Sequence, residues 1–418
     1  MNLISTKAGL AGLGFAMVVN WGWAQSLAYA PWVPLQSAPS RDYDIRFGEL
    51  FFDLEATISL EYNTNITASE ENEISDFIIS PGISAGGSWA YSDFNTLRFG
   101  IGLKYRYYLS NPELGSNGSV FDLTPETEID TIILIGEAYI RLFDRVTYST
   151  DATDSIGVDT ETGELIFNST DYGILTNTLG AQISYDLNFL QTSAQIYRRD
   201  TISFEDDFDF LDYVEYSVSG TVSRRIFSTL TAGVGGGVSA LDYESVIKGD
   251  IDSLNFGVFS NAVLTPFISL YGGVNWGFSE VSAVPGFASS RDSDSFSYNI
   301  TLSHTLNAYF DHSVGFTSVR RLGCVSDFVE TKTIRYDWNL EEWLFVDLSG
   351  YVAWEQGDEE GGALPESFDR FSVSVQASYV VGPRSELRGR VTFVDKDSNR
   401  DLRSYRRSVF WLEYSYDF

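Results

Sequence analysis

The chain is short of the residues on which most enzyme and metal sites depend. Its 418 residues include one cysteine, Cys324, and two histidines, His304 and His312. A single thiol excludes an intrachain disulfide, and two histidines rule out a His-rich metal centre. Proline is scarce at 10 residues, and Lys plus Arg reach only 27 against 58 Asp plus Glu. The resulting net charge of −31 excludes nucleic acid as a partner, because phosphate contacts need Lys and Arg. After the N-terminus no stretch stays apolar for the ~18 residues that a membrane-spanning helix requires. A 3.6-residue periodicity is missing as well.

Glycine (36), tyrosine (24) and phenylalanine (30) are abundant, which is the composition of strands. The first 30 residues follow the plan of a secretory signal: Lys7, a short apolar stretch, then small residues. Cleavage is expected after Gly22-Trp23-Ala24, with Ala28-Tyr29-Ala30, followed by Pro31, as the second choice. Residues 25–50, with Pro31, Pro34 and Pro39, read as an extended leader ahead of the domain at 51–418.

That domain is dominated by alternation. In FDLEATISLEY, the residues Phe52, Leu54, Ala56, Ile58, Leu60 and Tyr62 alternate with Asp53, Glu55, Thr57, Ser59 and Glu61. TLRFGIGLKYRYYL sets Leu97, Phe99, Ile101 and Leu103 against Arg98, Lys104 and Arg106. Each run describes a strand with one greasy and one wet face. Short connectors, such as those at 92–95, 186–189, 226–228, 265–267 and 381–385, alternate with long acidic ones, such as 63–76, 152–172 and 280–294. A further short turn is expected near Phe143-Asp144, although 131–151 alternates poorly. Nine long loops and eight short turns imply 18 strands, with 16 as the alternative. Alternating runs that often exceed ten residues are too long for a soluble sandwich, whose strands run ~5–6 residues. Short turns at one end and long loops at the other suit an all-β antiparallel transmembrane barrel. Its oily face would meet lipid, with aromatics such as Tyr62, Trp89, Tyr105, Trp276, Trp343 and Trp354 at the interfaces.

The chain ends FWLEYSYDF, in strand rhythm to its last residue. Phe410, Leu412, Tyr414, Tyr416 and Phe418 resemble the C-terminal assembly signal of bacterial outer-membrane barrels. That resemblance implies recognition by the outer-membrane barrel assembly machinery and closure of the last strand against the first. The first hairpin, SLEYNTNITASEENEISDFIISPGIS, is similar to that of the β-barrel porin families of Gram-negative bacteria. The residues concerned are Tyr62, Asn63, Asn65, Ser75, Asp76, Phe77, Pro81 and Gly82. The resemblance implies a barrel more firmly than it implies a solute.

Chemical motifs lack their contexts. GISAG at 82–86 places Ser84 in a nucleophile-elbow pattern, but no helix follows. Asp395, Asp397, Asn399 and Asp401 have calcium-loop spacing, yet Arg400 and Arg406 stand where glycine and the bidentate acid belong. No catalytic residue, metal or cofactor is expected. Function is expected on the wet face, with Asp53, Glu55, Glu61, Arg98, Lys104, Arg106, Glu386, Arg388 and Arg390 as pore-lining candidates. These rows either set a transverse field or pair across the wall. The expected role is a passive outer-membrane porin for small solutes. Polysaccharide export and surface adhesion are the alternatives, and lipid, lipopolysaccharide and a second copy of the chain are the possible neighbours.

Overall fold

A computed structural model describes residues 44–418 except 72, 93, 113–119, 125–126, 150–156, 159–164, 167–172, 188, 205, 246–247, 284–290, 324–325, 344 and 362–364. The expected signal peptide and most of the leader, like Cys324, lie outside the described residues.

Eighteen antiparallel strands form one closed ring. They are β1 Leu50–Asn63, β2 Asp76–Ala90, β3 Thr96–Tyr108, β4 Glu128–Ile135, β5 Ala138–Ser149 and β6 Ile174–Asp186, then β7 Leu190–Ser203, β8 Tyr213–Phe227, β9 Leu230–Tyr243, β10 Ile251–Thr265, β11 Ile268–Val281 and β12 Arg291–Thr305. The last six are β13 Phe310–Leu322, β14 Phe328–Trp343, β15 Val346–Glu360, β16 Ser367–Gly382, β17 Ser385–Ser398 and β18 Tyr405–Asp417. A fragment, Val120–Leu123, extends the β4 position along β3, and Ile45–Phe47 folds back on the start of β1. No α-helix occurs among the described residues.

Each strand pairs with its neighbour in sequence, and β18 closes the ring on β1. Glu55 faces Asp417, Ile58 faces Tyr414, and Tyr62 faces Phe410. The amide of Phe418 donates to the Leu54 carbonyl at 3.0 Å. A greasy last residue is therefore part of the closing seam, where its backbone is paired and its ring stands beside Tyr416. Closure gives every strand a partner on both sides, as a sheet that crosses a bilayer requires.

The two faces of the ring follow from the alternation. The oily set is well exposed, including Ile58, Leu60, Ile83, Ile101, Leu179, Val218, Phe256, Ile300, Val375 and Leu412. Most of the wet set is half-buried or buried because it lines a concave surface, while Asp53, Arg98 and Arg145 stay exposed. This is the reverse of a soluble domain, whose large apolar residues are covered. Tips and flanks of the short turns carry exposed aromatics: Phe94, Phe189, Phe227, Phe267, Tyr309 and Phe345. Together they make a belt of the kind found at the membrane–water boundary.

One turn differs from its expected position. The chain reverses at Gly136 and Glu137, between β4 and β5, and Gly136 takes φ +64°. Phe143 and Asp144 lie inside β5 instead. Aspartate usually favours turns, and here it stands on the oily face, paired in register with Ile129 and Leu179. An acid in the apolar row is what blurred the alternation of 131–151.

His304 and His312 form a cross-strand pair. Their Nδ1 and Nε2 atoms lie 3.1 Å apart, near the short turn at 306–309. The His312 ring also packs on Phe310 and Tyr336.

Candidate functional site

The inner face divides into charged and neutral arcs. The first charged arc spans β3 to β8. Asp130, with a side chain 0% exposed, holds Arg98 at 2.8 Å and Arg141 at 2.6 Å. Glu128 binds Arg145 at 2.7 Å and reaches Arg141 at 3.8 Å. Asp122 binds Arg106 at 2.8 Å. Further round, Glu215 accepts from Tyr197 at 2.8 Å and Arg199 at 3.1 Å.

The second charged arc spans β13 to β18 and β1. Glu355 bridges Arg370 at 2.5 Å and Arg321 at 3.3 Å. Arg335 pairs with Asp337 at 2.7 Å. Arg388 binds Glu413 at 2.7 Å and lies 3.9 Å from Glu386 and 4.0 Å from Glu55. Arg390 stacks its guanidinium over Trp411, 5.0 Å from the ring centre.

Between these arcs, the inward positions of β9 to β12 are mostly hydroxyl, amide or glycine, with Leu241, Ile251 and Val281 at the long-loop end. Ser253, Asn255, Asn275, Ser279, Ser295 and Asn299 occupy them, with Phe259 lying flat over Gly233. A Cβ at Gly233 would collide with that ring, so the close approach requires glycine.

The mouth on the long-loop side is narrowed. The first loop turns inward, where Asn65 is fully enclosed and donates to the Ser69 carbonyl at 2.7 Å and the Arg406 carbonyl at 3.1 Å. Ala68 packs on Val394 and Tyr405. Glu366, Lys396 and Arg403 form an ion-pair knot, with Lys396 3.1 Å and Arg403 2.5 Å from the Glu366 carboxylate. In the loop after β7, burial raises the Asp212 carboxyl above its ordinary range. The Ser203 amide opposes that shift, and the nearby charges of Asp209 and Glu244 add to it.

Beside this knot the wall overlaps itself. β12 and β13 pair only where Tyr298–Thr305 faces Asp311–Ser318, although both strands run on toward the long loops. Above that point Phe328 packs with the inward-facing Tyr213, Leu241, Ile251 and Val281. Arg320 donates to Ser293 at 2.7 Å and to Glu360 at 2.5 Å. Phe328, Arg320 and Glu360 share the parity of the outward residues lower on their strands, yet they touch inward residues of β8 to β12. The ends of β13 to β15 thus lean inside the ring and cover the open seam with side chains.

All nine pore-lining candidates named from the sequence fall on the inner face. Arg98, Arg106, Glu55, Glu386 and Arg388 are ion-paired, and Glu61 accepts from Asn63 at 3.4 Å. Asp53 faces Gly86 across β1 and β2. Lys104 stands opposite Asp122 in register, and no ion pair to it is found among the described residues. Sequence reasoning missed Asp130, Glu128, Arg141 and Arg145 because their segment alternates poorly. It also missed Glu366 and Arg403, which belong to loops. Ser84 lies mid-strand opposite Glu55 and Gly102, with no helix beside it.

No protein-family model matches the chain, and no curated protein matches it either. Solved structures do resemble it. The outer membrane protein OpdK of Pseudomonas aeruginosa superposes with a TM-score of 0.52 at 10% identity, covering 88% of this chain and 99% of that one. OccK5 (OpdH) of the same organism gives 0.52 at 12% identity, with 88% and 98% covered. OccD3 (OpdP) gives 0.50 at 12%, with 88% and 91% covered. OpdK has also been solved with vanillate, with a TM-score of 0.53. The fold is therefore shared with these Pseudomonas aeruginosa proteins and is a closed 18-strand antiparallel barrel.

Proposed function

We propose that the chain is a passive outer-membrane channel for small polar solutes, exported with cleavage after Ala24 and involving no chemical step. The observation that carries this reading is a closed ring, oily outside, with charged arcs facing a neutral arc across its interior. An 18-strand ring leaves an aqueous lumen wherever loops do not fill it. Loops folded into the mouth support small solutes over a polymer. Purified, refolded protein in a planar bilayer is expected to give discrete conductance steps. Liposomes carrying it are expected to admit a small sugar and a small aromatic carboxylate such as vanillate. Absence of both steps and uptake rejects the channel reading.

Assembly supplies a second expectation. The β18–β1 seam uses the Phe418 amide and the row of Phe410, Leu412, Tyr414 and Tyr416, which makes this strand the natural handle for the barrel assembly machinery. Deleting Phe418 is expected to reduce the folded, heat-modifiable form in outer membranes severalfold, while refolding in detergent changes much less. Equal loss in both settings would assign the residue to stability alone.

A further inference from the structure

Residues 291–297 of β12 have a strand neighbour on one side only. They pair with β11, but the ladder to β13 begins at Tyr298. Continuing its register would set 294–297 opposite 319–322, and none of those pairs forms. The open edge is ~23 Å long at ~3.3 Å per residue. It starts at lipid depth. Phe296 stands within it, 49% exposed on the oily face, with its ring centre 5.4 Å from that of Trp276. An open edge at that depth persists only where protein covers it or where it lines a cavity.

Behind the gap lies a thin apolar layer. Leu241, Ile251 and Val281 stand in one register row at the long-loop ends of β9, β10 and β11. Phe328 of β14 closes on this row, with Leu322 of β13 packed beside it. Two cations flank the layer, each over an aromatic ring. Arg320 lies 4.6 Å from the Phe328 ring centre, and Lys248 lies 5.1 Å from that of Tyr243. Lys248 also donates to the Gly323 carbonyl, which ties the loop after β9 to the loop after β13. Arg320 is 8% exposed and gives Nη2 to Ser293 and Glu360. Its Nε and Nη1 are enclosed and have no hydrogen-bond partner. Buried donors without an acceptor are costly, and anionic oxygens would satisfy them. The outward side of the same strand ends is acidic, with Asp252, Glu280 and Asp292 in one register row. An anion is therefore drawn to the inner side of these strands and repelled from the outer side.

We infer that this layer is a binding site for a single-chain amphiphile with an anionic head, and that the gap between β12 and β13 opens it to the outer leaflet. The head accepts from Nε and Nη1 of Arg320, and the chain lies along Leu241, Ile251 and Val281. Phe328 fills that place in this structure. Phe328 and Leu322 belong to the inward-leaning strand ends, which no ladder holds to β12. The strands opposite them, β8 to β12, are paired with one another along their length. Movement of the β13 and β14 ends away from β9 to β11 thus vacates the site without breaking the wall. The site goes beyond conduction, because it lies between layers of the wall and not along the lumen.

Laurate carrying a photoreactive diazirine tests the site on the full chain in phospholipid liposomes. Labelling is expected to concentrate on Leu241, Ile251, Val281 and Phe328. Laurate is expected to reduce it severalfold in competition, whereas butyrate, which has the head without the chain, does not. Arg320→Gln is expected to lower labelling severalfold while leaving that by the matching lauryl alcohol probe unchanged. Phe328→Ala is expected to raise labelling severalfold, and it stands in if Arg320→Gln fails the heat-modifiable mobility test of folding. In a Cys324→Ser background, Asp294→Cys with Leu322→Cys is expected to stay uncrosslinked on oxidation, while Leu302→Cys with Val314→Cys, a formed register pair, crosslinks. Labelling spread over outward residues such as Phe256 and Leu412, equal loss of both probes in Arg320→Gln, or unchanged labelling in either folded variant overturns the site. Crosslinking of the upper cysteine pair as complete as that of the lower overturns the gap. Either failure beside intact conductance steps would leave the channel reading standing.

Discussion

Replacing Glu366 by alanine is expected to release the mouth of the barrel and raise its single-channel conductance. The Glu366 side chain is 1% exposed, Lys396 is 2% exposed, and Arg403 is 8% exposed. The Ser398 hydroxyl also donates to the carboxylate at 2.6 Å. Removing the acid takes this carboxylate from Lys396 and leaves Arg403 with Glu359 at 3.8 Å; breaking a well-covered pair costs about 3–5 kcal/mol. Local rearrangement is the cheaper way out. Glu366 ends the loop before β16, and Arg403 sits in the loop before β18, so freeing either lets cations turn to water. The main wall ladders do not depend on this knot, so the barrel is expected to remain folded while its entrance widens. Glu366→Gln keeps the shape and the Ser398 contact but loses the charge, and is expected to fall between. Conductance recorded beside heat-modifiable gel mobility checks this. Unchanged conductance in a folded Glu366→Ala protein would show that the knot does not limit the path.

The barrel was legible in the sequence because each strand repeats one instruction. A period of two over ten or more residues, with short and long connectors in turn, leaves few structures that satisfy every backbone group. Strand number and the inner face follow from that periodicity, whereas the place of Phe418 at the seam follows from the resemblance of the last strand to the assembly signal of outer-membrane barrels. The arrangement of charges did not, since period two says which face a residue occupies and nothing about its level. Arg98 is visible as an inward cation, but its partner Asp130 lies 32 residues later in a segment whose pattern is broken by Asp144. The broken pattern was itself the signal. An acid where an apolar residue belongs suggests a turn, the commoner use of aspartate, whereas Asp144 stands inside a strand of the wall. The mouth was hidden for another reason. Glu366, Arg403 and Phe328 act through contacts with residues distant in sequence, and loops carry no periodicity to place them.

Asp130→Ala is expected to have the largest effect inside the wall. The carboxylate is 0% exposed and holds Arg98 and Arg141 together on neighbouring sides of β4. Without it the two guanidiniums face each other, with Glu128 the nearest remaining acid at 3.8 Å from Arg141. For a fully covered network the loss would approach ~3–5 kcal/mol. Arg98 is 46% exposed and Arg141 27% exposed toward the lumen, so water screens the repulsion and the expected loss is nearer ~1–2 kcal/mol. That loss should appear as a lower urea midpoint for unfolding from detergent micelles. The second consequence is electrostatic. One negative charge leaves the inner face and two cations gain freedom to meet a passing ion, so reversal potentials in a salt gradient should move toward anion selectivity. Asp130→Asn separates the effects, because the amide keeps the volume and one acceptor while removing the same charge. It is expected to match alanine in selectivity and to lose less stability. If neither variant moves the reversal potential, the ion pairs of this arc only brace the wall.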